Sequence, residues 1–373
     1  MSKKIVITRS NGVNPDSRVE KEANTLAKAG YEVTIVAWDR DQNYKIKKDV
    51  LELQNSKVDR ISFGIKAEFG KGMKSLKQYL LFQFRMFIWL IKNRKKYDVA
   101  HLCDFDTAFF GGLAARICRK KIVFDIFDYL CTDAKSFFQK TVRNVENRII
   151  NAADAVIICT EDRKRQIVGT NPKRLEVIHN TPPQIVQKNN ERHDGKIKIV
   201  YVGILQDHRL LIEMIDSVKK MSNVELHIGG FGKYEEYIKN QAFSNTNIIY
   251  HGKLPYNKTI ELEEKCDIMT AIYEPSIGNH KFAAPNKFYE ALMLGKPLIM
   301  VKETGMSNVV EENNIGELID YNESSFEQGV KSLIDRQNEW ASIKNKMHEI
   351  YNKRYSWNVM ESRLLALYKD LFA

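Results

Sequence analysis

No run of about 20 apolar residues, the length a spanning helix needs, occurs in this 373-residue chain. With 28% charged residues, that argues against helices embedded in a bilayer. The opening MSKKIVITRS is apolar only at Ile5, Val6 and Ile7, too short for a signal-peptide core and suited to a first strand. The protein is therefore expected in the cytoplasm. Cysteines are few and scattered (Cys103, Cys118, Cys131, Cys159, Cys266), with no C-x-x-C pair and no zinc spacing. They read as buried free thiols, and their odd number argues against a closed disulfide framework. Glycine is missing where a dinucleotide fold needs it. The first strand-to-helix segment, TRSNGVNPDSR (8–18), holds Gly12 alone in place of G-x-G-x-x-G. Acidic charge is in deficit, leaving a net +11 that favours an anionic partner.

What is present is a regular alternation of short apolar runs and amphipathic helical patterns, the order of α/β layers on mostly parallel sheets. In the first half the pattern predicts strands near 4–8, 32–37, 99–102, 121–124, 155–158 and 175–178. Ser17 and Glu20 read as a capping box for the first helix, with Val19, Ala23, Leu26 and Ala27 on one face and Gly30 ending it. The polar stretch TPPQIVQKNNERHDG (181–195) carries two prolines and reads as a linker, drawn at 184–195. The domains it separates are 1–183 and 196–355, followed by a last helix at 356–373. The second half predicts strands near 197–202, 224–228, 247–250, 267–272 and 297–300, and helices at 209–220, 256–265 and 286–294. A long helical tail follows from about 323, in which Met360, Leu364, Tyr368 and Leu371 form an apolar stripe.

The segment PNKFYEALMLGKP (285–297) carries the most chemistry. Asn286 can cap a helix that Gly295 ends, and Lys287 would then be its first residue. A cation there opposes the helix dipole unless an anion binds the helix start and pairs with it. Glu290, one turn deeper, could accept bonds from both hydroxyls of a ribose, completing a diphosphate-plus-ribose clamp. A solvated lysine and an ordinary surface glutamate fit the same letters. In YVGILQDHRLL (201–211), Gly203 allows close approach to the backbone, and Arg209 falls in the first turn of a helix capped near Asp207. A plain glycine turn with a surface arginine is the alternative. HIGGFGKYEEY (227–237), with Gly230, has the form of a nucleotide-contacting turn but no Walker pattern.

On the first domain, Asn11, Gly12, Arg9 and Arg18 could line a cleft, though Arg18 also suits a structural ion pair. IVFDIFDYLCTD (122–133) places Asp125, Asp128 and Asp133 at a strand end, where open α/β sheets bind ligands. Asp128 first, and Asp125 second, could accept a proton from an acceptor hydroxyl, or either could cap the next helix. HLCDFDT (101–107) offers His101, Asp104 and Asp106 at the neighbouring strand end. Residues 71–96 hold eight Lys or Arg and no acid. Met73, Leu76, Leu80, Phe84, Phe87 and Ile91 share helical spacing, with Phe82, Trp89 and Leu90 widening the face. The reading is an inward-packed apolar face with a basic end, Lys92, Arg94, Lys95 and Lys96, on an anionic membrane. A core helix with solvated lysines is the alternative. No nucleic-acid-binding module accompanies the charge.

These segments together resemble family 4 of the retaining glycosyltransferases, which have the GT-B fold. DSRVEKEANTLAKAGYEVTIVA (16–37), DVAHLCDFD (98–106), IVFDIFDYL (122–130), NAADAVIICTE (151–161) and LEVIHNTPP (175–183) match along the first half. PNKFYEALMLGKPLI (285–299) matches the family's donor-site helix most specifically. The resemblance implies two Rossmann-like domains facing across a cleft, with the final helix crossing back. It implies a nucleotide sugar of the UDP or GDP type on the second domain, with Glu290 on the ribose and Lys287 and Arg209 near the diphosphate. It implies a glycan or lipid-linked acceptor on the first domain, retention of configuration, and no cofactor or essential metal. Two letters depart from the pattern. The family's frequent second glutamate, eight positions before Glu290, is Phe282, for which Glu274 could substitute. Its frequent histidine after the strand-end aspartate is Phe127. A nucleotide-sugar epimerase and a non-catalytic binding subunit remain as rival readings.

Overall fold

The computed structural model describes residues 2–67, 75–130, 132, 134–184 and 195–373. The linker drawn at 184–195 therefore lies almost wholly outside the described residues, as do Met73, Cys131 and Asp133. The chain forms two units: residues 1–179 with 360–373, and residues 180–359.

The first unit runs β1 (Lys4–Arg9), α1 (Ser17–Lys28), β2 (Glu32–Asp39), β3 (Tyr44–Glu52), β4 (Lys57–Gly64), α2 (Leu76–Lys92), β5 (Val99–Cys103), α3 (Phe105–Ile117), β6 (Lys121–Ile126), α4 (Phe137–Ala152), β7 (Ala155–Ile158) and β8 (Leu175–Val177). Its sheet has the order β3-β4-β2-β1-β5-β6-β7-β8. Every pairing is parallel except β3 with β4. The strand order switches between β1 and β5, and the carboxyl ends of β1, β5 and β6 at that switch point are the usual ligand position of an open α/β sheet. Helices α2, α3 and α4 share one face, where Phe82, Met86 and Leu90 join Ala108, Ala114, Ala115 and Ile150 in the core.

The second unit runs β9 (Ile197–Ile204), α5 (Leu211–Lys219), β10 (Val224–Phe231), α6 (Glu235–Ser244), β11 (Ile248–Tyr250), α7 (Tyr256–Lys265), β12 (Ile268–Ala271), α8 (Asn286–Leu294), β13 (Leu298–Val301), α9 (Ser307–Asn313), β14 (Gly316–Ile319), α10 (Glu323–Asp335) and α11 (Trp340–Ile350). Its all-parallel sheet has the order β11-β10-β9-β12-β13-β14. Buried apolar residues fill both faces, the condition parallel strands require. Helix α12 (Trp357–Phe372) follows, and its residues from Met360 onward belong to the first unit. There Met360, Leu364 and Tyr368 are fully buried, and the Tyr368 hydroxyl lies 2.8 Å from His101 Nδ1.

Several expectations are corrected. The hairpin β3–β4 is absent from the sequence reading. Its outer strand carries lysines and leaves Ile46 and Val50 exposed, as an edge strand does, so it shows no apolar alternation. The short β14 is likewise new. The tail from 323 is three helices, broken at 337–339 and at the extended Ser356. The first helix is capped by Asp16: its side chain accepts from Val19 N–H, and Glu20 accepts from the Asp16 N–H. The face of α2 is only partly the expected one: Phe87, Trp89 and Ile91 pack against the core as expected. Phe82, Gln83, Met86 and Leu90 point inward, while Leu76, Leu80 and Phe84 are exposed. No helix among the described residues is long and apolar enough to cross a membrane.

Candidate functional site

In the second unit, Lys287, Arg209 and Gly203 converge on two tyrosines. Lys287 Nζ lies 5.1 Å from the Tyr201 ring centre. A β-carbon on Gly203 would stand 2.8 Å from that Nζ and 3.4 Å from the Tyr201 hydroxyl. Arg209 stacks on Tyr273, its guanidinium carbon 4.1 Å from the ring centre. Neither Lys287 nor Arg209 forms an ion pair among the described residues. Burial works against the charge of Lys287. The Tyr273 and Tyr201 hydroxyls and the Glu290 and Glu263 carboxylates nonetheless hold it above the ordinary lysine value.

Local structure sets this arrangement. Helix α8 begins at Asn286, after Pro285, which provides no side-chain cap. Asn286 is thus the first helical residue and not the cap. Its Oδ1 accepts from Asn180 Nδ2 at 3.2 Å. Gly295 ends the helix at φ 66°, as its position predicts. Arg209 also moves: α5 starts only at Leu211, so Arg209 precedes the first turn. Its neighbours His208 and Leu210 take φ of 68° and 55°, an unfavourable backbone for side-chain-bearing residues, which turns the loop between them. Asp207 bonds Lys233 and Tyr234 and does not cap the helix. Glu274 holds this loop through His208 and accepts from Ser276 Oγ at 2.5 Å. Gly230 needs to be glycine for a backbone reason. At φ 142° it packs on Gly203, whose carbonyl oxygen would lie 1.9 Å from any β-carbon added to it.

Glu290 is nearly fully buried one turn below Lys287, close enough to Tyr256 to add to burial in raising its phenol well above the usual value. Glu263 on α7 faces the same region with Oε2 buried and unpartnered. Burial first, and Glu290 next, push its carboxyl well above the usual range, against the pull of Lys287. Sequence reasoning missed Glu263, Tyr201 and Tyr273. Tyr201 and Gly203 alternate on one strand, a spacing that could have signalled a shared face. Glu263 stands in a run of acids that reads as solvated surface.

The first unit holds a denser ionic set. Arg18 is buried and pairs with Asp125 at 2.7 Å and Glu22 at 3.2 Å, and donates to the Ile178 carbonyl at 2.6 Å. It is the structural ion pair its sequence position suggested. Asp125 is fully buried between Arg18 and His101. Burial opposes its charge, yet Arg18 and His101 hold its carboxyl below the usual range. This corrects its assignment as a proton acceptor, since its oxygens are already occupied. Asp128 is different: its side chain is 74% exposed and takes one bond from Arg163 at 3.0 Å. Asp104 organises the strand end. It accepts the Phe127 and Asp128 N–H groups at 2.8 and 3.1 Å and pairs with Arg9. Burial pushes its carboxyl up to about 7, against the pull of Arg9. Asp106 is raised too, chiefly by burial, with Ser10, Arg9 and Arg40 pulling down. Phe127 receives Arg9 and Arg18 near its ring, at 4.2 and 4.7 Å. Asn11 and Gly12 serve their own loop: Asn11 bonds Val13 N–H and Asp16, and the Gly12 carbonyl accepts from Arg60. Among the described residues, His101, Cys103 and Asp125 alone bring three potential metal ligands within 4.8 Å of one another. Arg18 and Tyr368 already engage two of them.

Two family models match this chain in tandem: Glycosyltransferase Family 4 over residues 17–181, and Glycosyl transferases group 1 over residues 184–353. The chain belongs to the family 4 glycosyltransferases of GT-B type. Among curated relatives it is 22% identical over 306 residues to the uncharacterized glycosyltransferase MJ1607 of Methanocaldococcus jannaschii, covering 74% of this chain and 75% of that one. Among solved structures, sucrose-phosphate synthase from Thermosynechococcus elongatus superposes with a TM-score of 0.73 at 14% identity, over 99% of each chain. Anabaena Alr3699/HepE in complex with UDP gives 0.72 at 14%, over 99% of this chain and 100% of that one. At such identities these two structures establish the likeness of fold.

Proposed function

We propose that this glycosyltransferase takes its sugar from a nucleoside diphosphate sugar of the UDP or GDP type and passes it, with retention, to a glycan or lipid-linked acceptor in surface polysaccharide assembly. The second unit holds the donor. The observation that carries this is the pair of cations, Lys287 and Arg209, set around Tyr201 and Tyr273 beside Gly203, with no carboxylate oxygen within ion-pair distance of either among the described residues. Two cations beside an uncapped helix start suit a diphosphate. Glu290, below them, is the acceptor for ribose hydroxyls. A complex with UDP in the similar Alr3699/HepE structure supports this choice of ligand class.

In the transfer, the bond from the sugar's anomeric carbon to the diphosphate oxygen breaks, and the acceptor oxygen bonds to that carbon on the same face. The hydroxyl proton goes to the departing diphosphate. Lys287 and Arg209 stabilise the negative charge that develops there, so no essential metal is needed for that role. On the first unit, Asp128 is the exposed carboxylate available to an acceptor hydroxyl, with Asp104 fixing the turn that presents it. The protein works at the inner face of the membrane, where a lipid-linked acceptor is found.

The test is turnover of a donor panel by Lys287→Ala and Glu290→Ala. Losses of more than about tenfold in both, with folding intact, are expected from removing charge-assisted contacts. Near-normal turnover in both removes the donor clamp.

A further inference from the structure

The exposure of Leu76, Leu80 and Phe84 on α2 leaves a surface that the transfer reaction does not use. Half of the large apolar side chains exposed among the described residues lie on α2, α3 and α4. Leu80 and Phe84 stand out on α2, and Phe109 and Leu113 on α3. Phe137 and Phe138, 88% and 72% exposed, open α4. That first turn is well formed, because Ser136 and Gln139 close a capping box around it. The patch continues between helices. Phe87 of α2 meets Phe110 of α3 edge-on, and Phe110 meets Phe109. Beyond Phe109 an apolar groove of about 250 Å3 runs between α3 and α4, with Arg116 and Arg148 among its lining residues.

Charge identifies the occupant. The three helices carry only two acids, Asp106 and Glu146. Glu146 is buried, and Asp106 faces Ser10, Arg9 and Arg40. Exposed cations accompany the apolar surface: Arg116 and Arg148 at the groove, and the basic run that follows α2 in the chain. A second copy of this chain would set cations against cations, an arrangement that like-charge repulsion penalises. An anionic bilayer supplies both a negative surface and an apolar interior.

We propose that the outer surface of α2, α3 and α4 is the face by which this protein docks on an anionic bilayer. Phe84, Phe109, Phe137 and Phe138 enter the boundary between headgroups and acyl chains, and the α3–α4 groove takes an acyl segment beneath phosphates held by Arg116 and Arg148. This rests on the membrane part of the proposed function, and it replaces a contact through the basic end alone with one in which apolar insertion is essential.

The test is co-flotation of the full chain with phosphatidylcholine vesicles, with and without phosphatidylglycerol. The charge-neutral variant Leu80→Gln/Phe84→Gln/Phe109→Gln/Leu113→Gln is compared with Lys92→Glu/Arg94→Glu/Lys95→Glu/Lys96→Glu. Wild type is expected to float only with the anionic vesicles, and the charge-neutral variant to lose about tenfold or more of that binding, as removal of inserted apolar area requires. Its melting temperature and nucleoside diphosphate binding should stay unchanged. Full flotation of the charge-neutral variant, with only the lysine variant impaired, overturns the proposal. So does a wild-type dimer that this variant converts to monomer, which would make the face a contact between copies. Loss of donor binding with flotation intact would instead count against the reading of the second unit.

Discussion

Gly203 and Gly230 sit side by side on paired strands, yet substitution of each should fail in a different way. In Gly203→Ala the new methyl meets Lys287 Nζ at 2.8 Å, so the ammonium must retreat by about 0.6 Å to reach the ordinary contact of 3.4 Å. What moves is the tip of a flexible side chain, and replacing glycine by alanine also lowers the entropy of the unfolded chain. Stability should therefore change by less than about 1 kcal/mol. Donor binding should suffer, because the methyl displaces the cation and occupies the approach to the backbone. Losing one charge-assisted hydrogen bond costs about 1.5–3 kcal/mol, or roughly a 10- to 100-fold rise in Kd. In Gly230→Ala the methyl meets the Gly203 carbonyl oxygen at 1.9 Å from a backbone at φ 142°. Nothing there can yield cheaply, and a loss of about 2 kcal/mol or more is expected. Calorimetric titration with UDP and GDP, beside thermal unfolding, reads both effects. If Gly203→Ala binds nucleoside diphosphate as wild type does, Lys287 does not hold the anion.

Other outcomes follow from the first unit. Arg18→Ala strands Asp125 and Glu22 in the core and should cost about 3–5 kcal/mol, whereas Asp128→Asn should cost under about 1 kcal/mol and lower turnover; denaturant titration and donor-acceptor assays separate them. Burial raises the Glu146 carboxyl to about 8. The folded state therefore holds a proton that the unfolded chain has lost above its ordinary value near 4.5. Stability should fall as pH rises from about 4.5 towards 8, by at most about 1.4 kcal/mol per unit from this group, and Glu146→Gln should flatten that slope in denaturant titrations. A slope unchanged by the substitution refutes the assignment. On the proposed mechanism, in which Lys287 and Arg209 supply the charge, activity should survive EDTA; complete loss, restored by a divalent ion, contradicts that role.

Legibility in the sequence followed local physics. The strand at 155–158 and the helices at 256–265 and 286–294 match the structure because apolar runs there are bounded by clear breakers, Pro255 and Pro285 before the helices and Gly295 after the second. The antiparallel edge strand did not announce itself, since it buries little and so carries no apolar signature. For α2, periodicity located the helix but not which side faces the sheet. Both sides of that helix are apolar, so the buried one depends on the sheet residues Trp38 and Phe63 and on α3, which the spacing within 71–96 does not encode. At the proposed donor site, Lys287 and Gly203 stand out in the sequence because a cation at a helix start and a glycine at a strand end break local rules, whereas Arg209 lies in the loop before α5 and not in its first turn. The tyrosines and Glu263 looked ordinary along the chain and acquire meaning only from the neighbours that folding supplies. Asp125 shows the reverse error: a strand-end position suggested chemistry where the structure spends the carboxylate on Arg18.

Hydrogen exchange of the full chain with and without saturating UDP or GDP tests the donor assignment most directly. Protection is expected at 201–211 and at 285–291, with little change across 1–179. Protection confined to the first unit, or none anywhere with any nucleoside diphosphate, contradicts the account.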